Sequence, residues 1–236
     1  MIKNLVHIDK KVLTPEDKTI TSEVSQVPAK TIIGRPKIYD LKSGKLLADE
    51  ENLVVLTGRE FLAQKLSSLT PNSVYDLRQH EIRYFGIGSG GASGLVASDP
   101  QDTDVDLASP IKFSETGIST SSNNYRYISN GYLKRIQTVG DDISGSIQIV
   151  EETHEVNTST GLITVDKFTT IKFTLIIEET EPVNKPFTFN EAGLYAVKYD
   201  DNGNPTDDTI LVARFTTIDK NLGYSDGLKI EWSILV

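Results

Sequence analysis

In "LKIEWSILV" the apolar positions alternate with polar ones: Leu228, Ile230, Trp232 and Ile234 fall on one side of a period-two pattern, with Lys229, Glu231 and Ser233 on the other. The pattern predicts a half-buried strand running to the last residue. "TIIGRPKIYDLKSGKLLADEENLVV" carries two alternating segments around "KSGK", where Ser43-Gly44 suits a hairpin turn. Further strands are expected in "EIRYFGIG", "NYRYISNGYLKRIQTV", "SGSIQIVEETHEV" and "LITVDKFTTIKFTLIIEE". "FTFNEAGLYAVKYDDNGNPTDDTILVARFTTIDK" has the form of strand, polar loop, strand. The period changes once, in "LTGREFLAQKLSSLTP": Phe61, Leu62, Leu66 and Leu69 recur at helical spacing, Thr57 suits the N-cap, and Pro71 stops the pattern. Short strands between Gly, Asn, Asp and Pro turns predict a mainly β fold, an antiparallel β-sandwich with one N-terminal helix, over residues 31–236. The hairpin and the helix near 57–69 belong to that domain.

Residues 1–30 show little periodicity and contain Pro15 and Pro28, so they read as an extended N-terminal arm. Leu5, Val6 and Ile8 in "NLVHI", with Ile32 and Ile33 in "KTIIG", bracket it with apolar residues suited to docking on a neighbouring subunit. The alternative is a mobile terminus.

Composition narrows the function. The chain of 236 residues is 38% hydrophobic, enough to fill a core, and carries a formal charge of −9. Non-specific nucleic-acid binding needs Lys and Arg to displace counterions, so that charge argues against a nucleic-acid partner; "YLKRI" is the densest basic stretch and is short. No cysteine is present, which excludes disulfides, thiolate chemistry and Cys-based zinc sites and fits assembly in a reducing cytoplasm. The N-terminal apolar run breaks after a few residues and no stretch approaches a membrane span, so neither a signal peptide nor a membrane partner is expected.

Candidate chemistry is sparse. "GIGSGG" satisfies the letters of a dinucleotide fingerprint through Gly86, Gly88 and Gly91, but Gly94 and Pro100 leave no room for the helix that would hold a pyrophosphate; the glycines are expected to turn the chain. Asp102, Asp104 and Asp106 have the alternation of a calcium loop but lack its glycine and terminal glutamate, and "DDNGNPTDD" fails the same test; solvated turns are expected. His7, His80 and His154 form no metal-binding pair, and no G-x-S-x-G frame exists. The adjacent acids Glu151-Glu152 and Glu178-Glu179 point to opposite faces of a strand. No catalytic residue, cofactor or metal site is therefore expected. A hydrolase would require carboxylates distant in sequence to meet in the fold. Glu191, before the small Ala192-Gly193 pair, is either a buried polar anchor or a charged residue at a strand start.

"ENLVVLTGREFLAQKL", "IRYFGIGSGG" with the following "DPQDTDVDLASPI", "FNEAGLYAV" and "ILVARFTTIDKNLGYSDGLKIEWSILV" occur in an order that resembles bacteriophage virion structural proteins of the tail, baseplate and tail-fibre type. The resemblance covers most of Asn52 to Val236 and leaves the first fifty residues outside. It implies a noncatalytic structural subunit with a β-sandwich core, located in the virion. Its implied partners are other virion proteins and further copies of itself as a homo-oligomer; a capsid-decoration or neck protein is a close variant. A second reading is a carbohydrate- or receptor-binding module of a phage tail, in which Tyr125, Tyr127 and Tyr132 of "SSNNYRYISNGY" would contact a host receptor glycan or a partner.

Overall fold

The alternating stretches form strands and the one helical stretch forms a helix in the computed structural model of the protein. It describes residues 33–67, 75–111, 125–128, 131–136, 147–157, 163–179, 186–223 and 225–235, with the backbone alone at 33, 125–128, 132, 151–157, 163–168 and 235. The expected arm, with Leu5, Val6, Ile8 and Ile32, lies outside the described residues; Ile33 opens the first strand.

Strands β1 (Ile33–Asp40) and β2 (Leu46–Asp49) make the first hairpin, turning where Gly44 takes φ +67°. β3 (Asn52–Val54) leads directly into α1 (Leu56–Ser67). Then come β4 (His80–Gly88), a small hairpin of β5 (Ala92–Ser93) and β6 (Val96–Ala97), and a second hairpin of β7 (Tyr125–Ile128) and β8 (Gly131–Arg135). Two long hairpins follow, β9 (Ile147–Asn157) with β10 (Ile163–Ile177) and β11 (Phe187–Tyr199) with β12 (Pro205–Leu222), before the closing β13 (Leu228–Leu235). No helix among the described residues is long and apolar enough to cross a membrane.

The expected sandwich needs correction. The described strands do not divide into two facing sheets: eleven of them join one antiparallel sheet in the order β7-β8-β4-β11-β12-β3-β1-β13-β10-β9, with β2 also paired to β1. The sheet is strongly curled into a half-barrel. Neighbouring strands lie about 4.8 Å apart, so three steps along a flat sheet would separate β12 from β13 by roughly 14 Å. Yet the rings of Phe215 on β12 and Trp232 on β13 meet edge to face at 4.9 Å. Curling brings the two halves of the sheet onto each other, so a single sheet encloses its own core.

That core takes one face of the central strands. Leu228, Ile230, Trp232 and Ile234 are all buried, as their period-two spacing requires, and pack with Phe85, Ile87, Phe173, Leu175, Leu194 and Phe215. The opposite side of β13 and β10 is polar, where Lys172 and Lys229 both pair with Glu231.

The helix also departs from expectation. Arg59 N–H donates to the Val55 carbonyl, which makes Val55 the N-cap. Thr57 does not cap: its hydroxyl donates to the Leu211 carbonyl at 2.9 Å and ties the first turn to β12. Phe61 packs with Leu77, Ala196 and Val212, whereas Leu66 is 77% exposed. The packed face runs through Gly58, Phe61 and Gln64, with Leu62 half-buried at its edge. Gly58 lies so close to β12 that a Cβ there would fall 2.0 Å from the Val212 carbonyl oxygen.

Candidate functional site

Register on the strongly paired strands β4, β11 and β12 sorts their residues into two faces. Ala192 with Phe215 and Ile87, and Leu194 with Ala213 and Phe85, face the core. The other face carries Glu191 with Thr216 and Gly88, Gly193 with Arg214 and Gly86, and Tyr195 with Leu211 and Tyr84. An outward face bearing Leu211, Tyr84 and Tyr195 requires a cover. The segment between β4 and residue 111 supplies it, with Leu107 packing among Tyr84, Leu133, Tyr195 and Leu211.

A buried carboxylate holds the cover down. Glu191 is 0% exposed, and its Oε1 accepts from the backbone N–H groups of Gly90 at 2.9 Å and Ser109 at 2.8 Å. Its Oε2 accepts from Ala108 N–H at 3.1 Å and from the Arg214 guanidinium, Nε at 3.1 Å and Nη2 at 2.6 Å. A carboxylate offers about four lone-pair sites, so this one is saturated. The remaining arm of Arg214 donates from Nη1 to Asp104 Oδ2 at 2.5 Å. Burial pulls the Arg214 pKa down, but its bonds to Asp104 and Glu191 outweigh that and leave it raised, so the guanidinium stays charged.

The neighbours of Glu191 do the same work. Asn190 accepts Gly91 N–H on Oδ1 at 2.7 Å and donates from Nδ2 to the Ser89 carbonyl and to Asp219 Oδ1. Tyr195 donates its phenol to Asp106 Oδ1 at 2.5 Å. In "NEAGLY", therefore, Asn190, Glu191 and Tyr195 each clasp the same loop. Glu191 is the buried anchor of the two alternatives left open by the sequence.

The glycines and aspartates of the loop find their roles here. Gly88, Gly90 and Gly91 do not turn the chain with positive φ; only Gly94 in this stretch does, at +65°. They permit close approach: a Cβ on Gly88 would stand 2.4 Å from Glu191 Oε1, and one on Gly91 2.4 Å from the Asn190 carbonyl oxygen. The calcium-like alternation Asp102, Asp104, Asp106 distributes its carboxylates to three separate protein groups, Arg59, Arg214 and Tyr195. They engage those groups instead of forming a solvated turn. In "DDNGNPTDD", Asp200 accepts the N–H groups of Asn202 and Asn204, which makes it a turn residue as expected.

Two further placements concern the sequence candidates. Tyr127 stands opposite Tyr132 in the β7–β8 ladder, with Tyr125 two positions along β7, so register places all three on one face of that hairpin. His80 is fully buried, with Nε2 3.2 Å from Asp208 Oδ1, although neither ring nitrogen completes a hydrogen bond. Asp208 accepts the Tyr75 phenol; burial pushes the Asp208 carboxyl up, and the Tyr75 bond together with the adjacent His80 ring outweighs it, leaving it lowered. Among the described residues no group of three or more His, Asp or Glu could hold a metal ion.

Arg214 was missed from sequence, although a signal existed. "FTFNEAGLYAV" and "ILVARFTT" each contain one ionised residue inside an otherwise uncharged strand, and a single loop joins the two strands as a hairpin. Two lone charges of opposite sign on adjacent buried strands need each other, because an unpaired buried charge is expensive. No protein-family model, curated protein or solved structure matches the chain.

Proposed function

We propose that this protein is a noncatalytic structural subunit of a bacteriophage particle, in the tail, baseplate or fibre-attachment region, acting through protein contacts. The observation that carries the reading is convergence. "FGIGSGG", "DPQDTDVDLASP", "NEAGLY" and "ARF", on which the resemblance to virion proteins rests, are spread from Phe85 to Phe215 and meet in the single clasp around Glu191. Their residue types serve to lock a long loop on a sheet. Glu191 has no solvent access and no free lone pair, so the clasp offers neither a proton to transfer nor room for a substrate. Mass spectrometry of purified virions tests the reading: the protein is expected among the particle components, and its absence from the particle overturns the proposal.

A glycan-binding tail module is the second reading, favoured by the shared face of Tyr125, Tyr127 and Tyr132. Binding on a glycan array that disappears with Tyr125→Ala or Tyr127→Ala would establish it, and uniformly negative arrays would dismiss it.

A further inference from the structure

We infer that the β5–β6 hairpin is a rigid peg that seats in an apolar socket with a basic rim on a different protein. This rests on the assembly reading and specifies its partner.

The first ground is the apex. Ser93 pairs with Val96 across a two-residue loop, Gly94-Leu95, with Gly94 at φ +65°. Loop positions in a solvated hairpin ordinarily go to Gly, Asn, Asp or Ser. Here Leu95 is 85% exposed and Val96 70%, and Ile218 on the neighbouring part of β12 adds a third exposed aliphatic residue. Scattered exposed aliphatics need no explanation, but Leu95 and Val96 at the turn, with Ile218 on the strand beside it, form a patch of the kind that marks a contact.

The second ground is rigidity. Gly91 N–H is held by Asn190 Oδ1 and the Gly91 carbonyl accepts Ser98 N–H at 2.8 Å, which closes the base of the hairpin. The Thr216 hydroxyl donates to the Ser98 carbonyl, and Asp219 N–H reaches the Gly94 carbonyl at 3.4 Å. All of this stands on the Glu191 clasp. A projection fixed before binding loses little conformational entropy on docking, so a small apolar contact suffices.

Charge selects the occupant. Exposed Asp99 and half-buried Asp219 flank the hairpin, with Lys220 the nearby cation, and the whole chain carries −9. A second copy would bring the same excess of negative charge to the contact, whereas a socket rimmed by Lys or Arg complements it and is favoured during encounter. The two most exposed side chains sit at a two-residue turn, so a partner that covers both is concave there.

The test places a photo-crosslinking phenylalanine analogue at Leu95 in the full chain, incorporated into particles, with the same probe at the exposed Ile149 of β9 as control. The expected Leu95 adduct joins one other structural protein at a peptide with apolar residues next to Lys or Arg. Val96→Glu is expected to cut incorporation at least tenfold with an unchanged melting temperature, which separates lost docking from lost folding. An adduct to a second copy, or no Leu95 adduct in particles that contain the protein, overturns the socket and leaves the assembly reading intact. Absence of the protein from particles defeats the assembly reading, and the peg falls with it.

Discussion

Glu191 and Arg214 show at the level of single residues how a buried charge pair is made tolerable: every lone pair and every guanidinium edge has a partner. Replacing one member leaves the other charge buried, which typically costs about 3–5 kcal/mol. For Glu191→Gln the expected loss is about 3 kcal/mol, the lower end, because Asp104 remains on Arg214. Urea unfolding measures it, and a loss under about 1 kcal/mol would mean that the clasp is not the anchor of the loop. Tyr195 gives a pH test of the same cluster. Burial and then the Asp106 carboxylate hold its phenol well above the ordinary value. A raised folded pKa means that the contribution is complete below about pH 10, where an unfolded tyrosine titrates, and is lost as pH climbs through the folded value. Melting temperature should therefore fall above about pH 10, and Tyr195→Phe should flatten that decline while removing a late-titrating group from the tyrosinate absorbance curve. Gly88, Asp104 and Glu191 stood out in the sequence, but Arg214 did not, and neither did their meeting. Gly88, Asp104, Glu191 and Arg214 come together only once β4, β11 and β12 pair in register and the loop folds back, and that register depends on bulges at Leu194/Tyr195 and elsewhere that no period-two count reveals.

Elements were legible where a face is buried along its whole length. β13 follows its alternation because all four apolar positions enter the core, and β1–β2 turns at Gly44 as its sequence demands. The helix was legible in place but not in orientation. Of Phe61, Leu62, Leu66 and Leu69, the first two pack and Leu66 is exposed, while Leu69 lies outside the described residues. The contact centres on Gly58, because a residue without a side chain lets the helix lie directly on the β12 backbone. Close approach leaves no hydrophobic signature. This yields a prediction whose sign opposes the general rule. An exposed Gly→Ala change within a helix ordinarily stabilises by about 0.5–1 kcal/mol. At Gly58 the new methyl would stand 2.0 Å from a backbone oxygen that cannot rotate away, so the helix must lift from β12 and strip contacts from Phe61. A destabilisation of about 2 kcal/mol or more is expected for Gly58→Ala in thermal melts, in the range of overpacked cores. A neutral or stabilised variant would show that α1 does not sit this close to the sheet.

At the scale of the molecule, the unpredicted feature is a single sheet that curls far enough to face itself. Alternation specifies which side of a strand is buried but not whether the opposing layer is a second sheet or a remote part of the same one, and both solutions bury the same residues. The curl places β8, near one end of the strand order, beside β10, near the other. β9 pairs with β10 only as far as Phe173, and beyond it the Lys134 ammonium on β8 donates to the Ile176 carbonyl at 2.7 Å. That bond crosses the gap between the two ends of the half-barrel, where no backbone ladder joins them among the described residues. Lys134→Met keeps the apolar stem and removes the charged donor, so the bond's contribution of about 1.5–3 kcal/mol should be lost. The distribution of the effect is the sharper test. Amide exchange should quicken in β8 and along Leu175–Ile177, while the β11–β12 hairpin, clasped on its outer face and packed on its inner one, keeps its protection. Uniform acceleration across all strands would mean that the bond only adds to global stability, and no change in either region would mean that the curl is held by the core alone.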